Sequence, residues 1–145
     1  MDEDVAISRL RTARVARLAT VRPDGRPHVV PIVFVLTDDG QQPSVYWSVD
    51  RKPKRSTELQ RLRNISVNPY VELVVDGYDE AWDRLWWVRA AGTSRTVEDA
   101  NESATALAAL TTKYPQYVQA PPVGPIVAID VVEVAGWQAA PRGTG

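Results

Sequence analysis

The run VARLATVRPDGRPHVVPIVFVL, residues 15–36, limits what this chain can fold into more than any other stretch. Two β-forming segments flank Pro23-Asp24-Gly25-Arg26, and an Asp-Gly pair suits the positive φ that tight hairpin turns demand. Residues 15–22 read as one strand and 27–36 as its return. Pro27 and Pro31 have no amide hydrogen to give a ladder, so the returning strand must be an edge, bulged or bent one. A strand that has to bend suits a closed barrel better than a flat sheet.

The remaining elements follow from periodicity and breakers. Val5, Ile7, Leu10 and Ala13 give residues 3–13 a helical stripe. Thr37-Asp38-Asp39-Gly40 is a turn, and residues 44–49 a third strand. A helix is expected over 53–63, with Pro53 in its first turn, Leu59 and Leu62 inward, and Asp50, Ser56 or Thr57 as caps. Asn68-Pro69 breaks it. Residues 70–76 and 85–96 are strands, with Gly92 marking a bulge or close backbone approach. A helix over 98–114 carries a small apolar face of Ala100, Ala104, Leu107, Ala108 and Thr111. Residues 115–125 read as loop, and 126–137 as a long strand apolar on both faces. That pattern implies burial on two sides. Asp130 and Glu133 would then need partners, with Arg84 or Arg89 as candidates. Six short strands and few helices make a mainly β fold, an antiparallel barrel or curved sheet. At 145 residues this is expected to be one domain, residues 1–145.

Charge and residue usage narrow the function. A formal net charge of -1 gives no whole-molecule field for nucleic acid. The absence of cysteine excludes disulfides and thiolate metal sites, and a single histidine excludes a histidine-rich metal centre; no metal is expected. The first residues, MDEDVAISRL, lack the basic flank and apolar run of a signal peptide. No apolar stretch approaches the ~20 residues of a membrane span. A cytoplasmic protein with no membrane partner is the expectation.

Against this neutral background, Arg51, Lys52, Lys54 and Arg55 crowd the exit of the third strand, and two of the three lysines of the chain lie there. Cations beside a helix start are either a solvated patch or an anion cradle, in which the free N–H groups of the first turn add to the charge. Nothing in the sequence suggests a Ser/His/Asp or Cys/His nucleophile. That fits a protein whose chemistry belongs to a bound cofactor. Tyr78, Trp82, Trp86 and Trp87 are either core and interface packing or the lining of a substrate groove. Alternation puts Trp86 and Trp87 on opposite faces. Asp79, Glu80 and Asp83 read as a solvated loop rather than a metal site.

Three runs, T-x-R-x-D-G-R-P-H-x-x-P (Thr20 to Pro31), K-P-K-R-x-x-x-L (Lys52 to Leu59) and N-P-Y-V-E-L-V-V-D-x-Y (Asn68 to Tyr78), together with the order of elements, resemble the pyridoxamine-phosphate-oxidase-like flavin- and deazaflavin-binding proteins, and among them a small actinobacterial branch of F420-dependent enzymes. The resemblance implies a six-stranded split β-barrel that pairs into a homodimer, with a cofactor in each groove between subunits. It implies that Lys52, Lys54 and Arg55, with Ser48 just upstream, grip the cofactor phosphate. Relatives often carry Lys where this chain has Arg55, and Arg can also grip a phosphate, bidentately. His28, Val29, Val30 and Pro31 would lie along the ring, with Thr20 and Arg22 near the same groove. Trp82, Trp86 and Trp87 are candidates for the substrate or partner-subunit side of it. The implied function is an oxidoreductase that passes a hydride between F420 and a small conjugated or aromatic substrate. An FMN-dependent oxidase or reductase, or a non-catalytic flavin or tetrapyrrole binder, is the alternative.

Overall fold

The structure is a computed structural model that describes residues 1–38, 42–49 and 56–140, with residues 56–59 described in backbone only. Its elements in chain order are α1 (Glu3–Thr12), β1 (Ala16–Val21), β2 (Pro27–Ile32), β3 (Val35–Thr37), β4 (Ser44–Ser48), α2 (Ser56–Val67), β5 (Tyr70–Gly77), β6 (Trp86–Thr96), α3 (Ala100–Lys113), α4 (Gln116–Gln119) and β7 (Ile126–Gln138). A single 3-10 turn, Trp82–Arg84, joins β5 to β6. No helix among the described residues is long and apolar enough to cross a membrane.

The opening hairpin forms as its sequence demands. Gly25 takes φ +90°, Gly25 N–H donates to Arg22 O at 2.8 Å, and Arg22 N–H donates to Arg26 O at 2.8 Å. The Asp24 carboxylate accepts the backbone N–H of Arg26 at 3.1 Å. Pro27 and Pro31 stand on β2, which pairs with β1 alone (Val21 with Pro27, Arg17 with Pro31). The missing amide hydrogens therefore cost the ladder nothing it could use.

The sheet runs β2-β1-β5-β6-β7-β4-β3, with antiparallel neighbours throughout. Its two outermost strands, β2 and β3, are separated in the chain by Val33 and Phe34 only. One bent stretch thus pairs with β1 through its first half and with β4 through its second, and this curls the sheet into a split barrel. The return strand expected over 27–36 is real but broken at the bend, which makes seven strands where six were expected. Phe34 is wholly buried at the break. Its N–H donates to Tyr114 Oη at 3.2 Å, and that hydroxyl lies 2.9 Å from both Arg14 O and Phe34 O, which share its one proton as acceptors. Lys113 Nζ sits 4.2 Å from the Phe34 ring centroid and donates to Arg11 O at 3.1 Å. The end of α3 therefore holds the bend against the start of β1.

Alternation along the strands fills the barrel with Leu18, Phe34, Val45, Trp47, Leu73, Val75, Val88, Val127 and Ile129. Ala6, Ile7 and Leu10 of α1 close one opening. The last strand is buried on both faces only from Ile126 to Ile129. β4 covers residues 126–130 alone, so beyond them Val132 is 68% exposed and Glu133 faces solvent, contrary to the expectation of burial throughout. The ladder between β6 and β7 slips at Ala91/Gly92, where Gly92 opposes Val131 and Ala91 opposes Glu133. A Cβ on Gly92 would collide with Asp130 O and come within 2.9 Å of Ile129 Cγ2, so the bulge read from this glycine is present for a steric reason.

The partner of Asp130 is Arg95, not Arg84 or Arg89. Register sets Thr93 opposite Asp130, and Arg95 two residues along the same face reaches both carboxylate oxygens at 2.9 and 3.2 Å. Arg84 instead lies 3.8 Å from Asp79, and Arg89 stacks over Trp87. Arg95 also grips Glu102 of α3 bidentately at 2.8 and 2.7 Å, and Tyr46 Oη donates to Glu102 at 2.6 Å. With Glu102 docked, Ala106 and Leu110, four and eight residues on, turn inward. Of the face expected to pack, Leu107 lies against the cluster of Tyr46, Ala106, Ile126 and Ala128 and Thr111 is half-buried, while Ala100, Ala104 and Ala108 are exposed. α2 runs on to Val67, past the expected end at 63, and the start expected at 53 lies outside the described residues. Four residues of the stretch expected as loop, Gln116–Gln119, form α4.

The hydrogen bonds from Arg95, then from Tyr46, hold the Glu102 carboxyl at about 2 against an ordinary 4.5, while Tyr46 is pushed up to about 12, by burial first. A depressed carboxyl stabilises the fold fully above its unfolded pKa, and that contribution is lost as pH falls toward the folded value. Glu102→Gln should therefore be less stable than the parent at neutral pH, with the gap closing between pH of about 5 and 2. Urea midpoints measured across that range check it.

Candidate functional site

Where β2 leaves β1 and β3 has yet to meet β4, the barrel wall opens. Ile32 is the last residue paired to β1, and Val35 with Tyr46 the end pair of the β3–β4 ladder. A cavity of about 380 Å³ occupies the gap. Pro31, Ile32 and Val33 form its apolar wall, and Ser48 at the end of β4 faces them. Arg61 enters from α2, while Tyr114, Gln116 and Tyr117 enter from the end of α3 and from α4. Ser48 Oγ donates toward Pro125 O at 3.1 Å and Gly124 O at 3.4 Å, which ties the segment after α4 to the same rim. Tyr114 and Tyr117 meet edge to face, 6.2 Å between centroids. Arg61 Cζ lies 5.1 Å from the Trp47 ring centroid. Arg61 is the one charged side chain among the described lining residues.

Of the residues singled out in the sequence, Pro31 and Ser48 meet in this cavity. Thr20 and His28 are opposite each other across β1 and β2 but face the barrel interior, at 1% and 8% exposure. Thr20 Oγ1 accepts from Asn64 Nδ2 at 2.9 Å. His28 Nδ1 is buried without a hydrogen-bond partner among the described residues. Burial, then the charges of Arg22 and Arg61, push the His28 imidazole below its usual pKa, so it is neutral at pH 7. Arg22 follows β1 at the hairpin turn. Alternation separates the four consecutive residues of the second strand. Val29 is 60% exposed on the outer face, while Val30 packs against the core. Lys52, Lys54 and Arg55 lie outside the described residues.

The three tryptophans do not share a place. Trp82 is 69% exposed on the 3-10 turn. Trp86 packs against the core under Arg9, whose Cζ is 4.5 Å from its ring centroid. Trp87 carries Arg89 at 5.2 Å and is paired across the ladder with Trp137. Among the described residues no group of His, Asp or Glu is arranged to hold a metal ion.

Sequence reasoning missed Arg61, Tyr114, Gln116 and Tyr117. Arg61 had a signal, because it lies one position after Gln60 and three before Asn64, a polar face on a helix that must pack. The other three had none, since their role depends on where α3 ends relative to the bend.

The sequence and the fold now name the class. Residues 3–138 match the family described as Pyridoxamine 5'-phosphate oxidase, and the chain belongs to that family. Among solved structures it is similar to a conserved hypothetical protein of Mycobacterium tuberculosis, with a TM-score of 0.75 at 21% identity, over 95% of this chain and 85% of that one. A FAD-binding protein of Mesorhizobium loti aligns with a TM-score of 0.71 at 20% identity, over 94% of each chain. A heme storage protein of Vibrio cholerae aligns with a TM-score of 0.69 at 18% identity, over 95% of each. Likeness at these identities speaks for the shared fold. No curated protein sequence matches the chain.

Tyr114 serves both the bend and the cavity wall. Tyr114→Phe would strip the buried Phe34 N–H of its acceptor, and stability should fall by about 1–3 kcal/mol. Equilibrium urea unfolding measures this.

Proposed function

We propose that the chain is an oxidoreductase that binds a phosphorylated deazaflavin, F420, with FMN as the alternative, and passes a hydride to a small conjugated or aromatic substrate. The observation that carries this reading is the position of the cavity. Its walls include Ser48 and Arg61, which bracket the Lys52-Pro53-Lys54-Arg55 run in the sequence, and the chain belongs to a family named for a flavin-type oxidase. The lining fits such a ligand. Pro31, Ile32 and Val33 offer a flat apolar wall, Tyr114 and Tyr117 aromatic edges, Ser48 and Gln116 polar groups, and Arg61 a cation. The cofactor would supply the redox chemistry, and the residues of this chain would bind it, orient it and exclude water.

At about 380 Å³ the cavity is near the lower end of the ~300–1,000 Å³ typical of ligand pockets, so one chain encloses only part of a cofactor as large as F420. A second copy would complete the groove. The outer face of the sheet supports this, with Val29, Tyr70 and Val132 exposed by 60%, 70% and 68% and a shallow apolar depression lined by Ala19, Val21, Ala91 and Val132. An apolar surface of that kind on a sheet face suits an isologous contact. A rival reading, a non-catalytic heme carrier, draws on the likeness to the Vibrio cholerae protein. The one histidine of this chain, His28, faces the barrel interior rather than the cavity, which leaves that reading without an imidazole ligand there.

Fluorescence titration of the purified protein should show saturable binding of F420, or of FMN, and no Soret change with hemin. Binding of neither flavin would remove the enzyme reading. Replacing Lys54 and Arg55 together by Ala should weaken cofactor binding by about 1.5–3 kcal/mol per lost charge-assisted hydrogen bond while the fold is kept. In sedimentation the parent should run as a dimer at micromolar concentration. Val132→Asp should shift it toward monomer and lower cofactor affinity in parallel.

A further inference from the structure

Strand pairing lines up two rows of side chains on the outer face of the sheet. One row runs Val29, Ala19, Glu72, Ala91, Glu133 across β2, β1, β5, β6 and β7. The next runs Pro31, Arg17, Val74, Arg89, Ala135 across the same strands. The first row carries two carboxylates and no cation, and the second two guanidiniums and no carboxylate. All four charged residues are exposed, while Ala19, Val74, Ala91 and Ala135 between them are half-buried. The rows stand two residues apart along each strand, about 6.6 Å. Within the chain these charges are largely unused. Neither Glu72 nor Glu133 has a hydrogen bond or ion pair among the described residues. Arg89 lies over the Trp87 ring, and Arg17 comes only to within 3.9 Å of Asp76.

We propose that these rows set the register in which two copies of this chain meet face to face, the acidic row of each on the basic row of the other. The proposal rests on the reading that a second copy covers this sheet, and it adds which charges meet and what the partner brings to the cavity. A two-fold axis in the contact plane, running across the strands and between the rows, turns each acidic row over the partner's basic row, so every contact is made twice. Glu72 then stands over the partner's Val74, between the partner's Arg17 and the partner's Arg89. Glu133 stands over the partner's Ala135, beside the partner's Arg89. A contact slipped by one row would set like charges together, which costs far more than a neutral mismatch. The small residues of both rows let the two sheets approach, and the exposed Val29 and Val132 supply apolar area. A face with one acidic and one basic stripe of equal size is complementary to itself, whereas a partner of single sign would match only half of it. The same operation lays Val29 over the partner's Pro31, which is part of the cavity wall. Each copy thereby adds a side to the other's cavity.

Two charge reversals, studied alone and mixed in analytical ultracentrifugation, test the register. In Glu72→Arg two identical copies set cation against cation, and in Arg89→Glu carboxylate against carboxylate, on both sides of the axis. Each variant alone should dimerise about tenfold or more weakly than the parent. Mixed in equal amounts, the two should recover a dimer close to the parent in affinity, because every substituted side chain then meets the opposite charge. Urea midpoints near that of the parent show that each variant folds. Should Glu72→Arg not fold, Glu133→Lys takes its place with the same expected pattern. A parent that stays monomeric at micromolar concentration removes the second copy and the register with it. A parent dimer unmoved by either substitution keeps the second copy and overturns the register. Two weakened variants that do not recover on mixing overturn the pairing of acidic with basic row. These outcomes are read without any cofactor, so binding of neither F420 nor FMN would remove the redox role and leave the register standing.

Discussion

The bend at Val33 and Phe34 is the feature on which the rest of the structure depends. It lets one stretch of chain serve both ends of the sheet, pairing with β1 before the bend and with β4 after it. Bending a strand frees backbone groups that a ladder would otherwise satisfy, and buried groups left so are costly. Tyr114 meets that demand with one hydroxyl that accepts from Phe34 N–H and donates toward Phe34 O and Arg14 O. The residue lies 80 positions from Phe34, so the backbone groups at the bend are satisfied by the end of α3 and not by their own neighbours in the chain.

Docking of α3 is in turn an electrostatic event at its first turn. Arg95 on β6 holds Asp130 on β7 and Glu102 on α3 at once, and Tyr46 on β4 adds its hydroxyl to Glu102. Three strands and a helix share one charge cluster. Arg95 is 43% exposed, so each pair taken alone is screened, but a network fixed from several sides loses less to side-chain entropy than an isolated surface pair. From Glu102 the helix runs through Ala106 and Leu110 to Lys113 and Tyr114 at the bend. The staple and the bend are thus two ends of one helix.

The cavity is a by-product of the same bend. A fully paired barrel would bury Pro31 to Val33 against a neighbouring strand. The split leaves them as an open wall, faced by Ser48 from β4, Arg61 from α2 and the tyrosines that follow α3. Among the described residues its lining combines apolar side chains, aromatic edges and one cation. Beside it a different polar set ties α2 to β1, through Asn64 Nδ2 on Thr20 Oγ1 and Gln60 Nε2 on Asn64 Oδ1, with His28 buried nearby on β2.

The hairpin at Asp24-Gly25, the break imposed by Pro27 and Pro31, and the bulge at Gly92 could be read from the chain before any coordinates, because each depends on the backbone limits of one residue type. The fold class followed from them and from the alternation of the strands. Ser48 and Pro31, singled out through the motifs around them, both line the cavity at the split. The partner of Asp130 was not legible, since the slip at Ala91/Gly92 sets Thr93 rather than Ser94 opposite Asp130 and so puts Arg95, two residues along, on its face. The inward face of α3 was legible only in part, through Leu107 and Thr111. Its alanines lie on more than one side, and only the pairing of Glu102 with Arg95 selects among them. The sequence by itself determined local backbone choices and the hydrophobic pattern that makes a barrel. Tertiary structure alone decided which distant side chains, Arg61 and Tyr117 among them, meet at the split, because that depends on helix rotation and strand register, quantities fixed by packing between elements and not within any one of them.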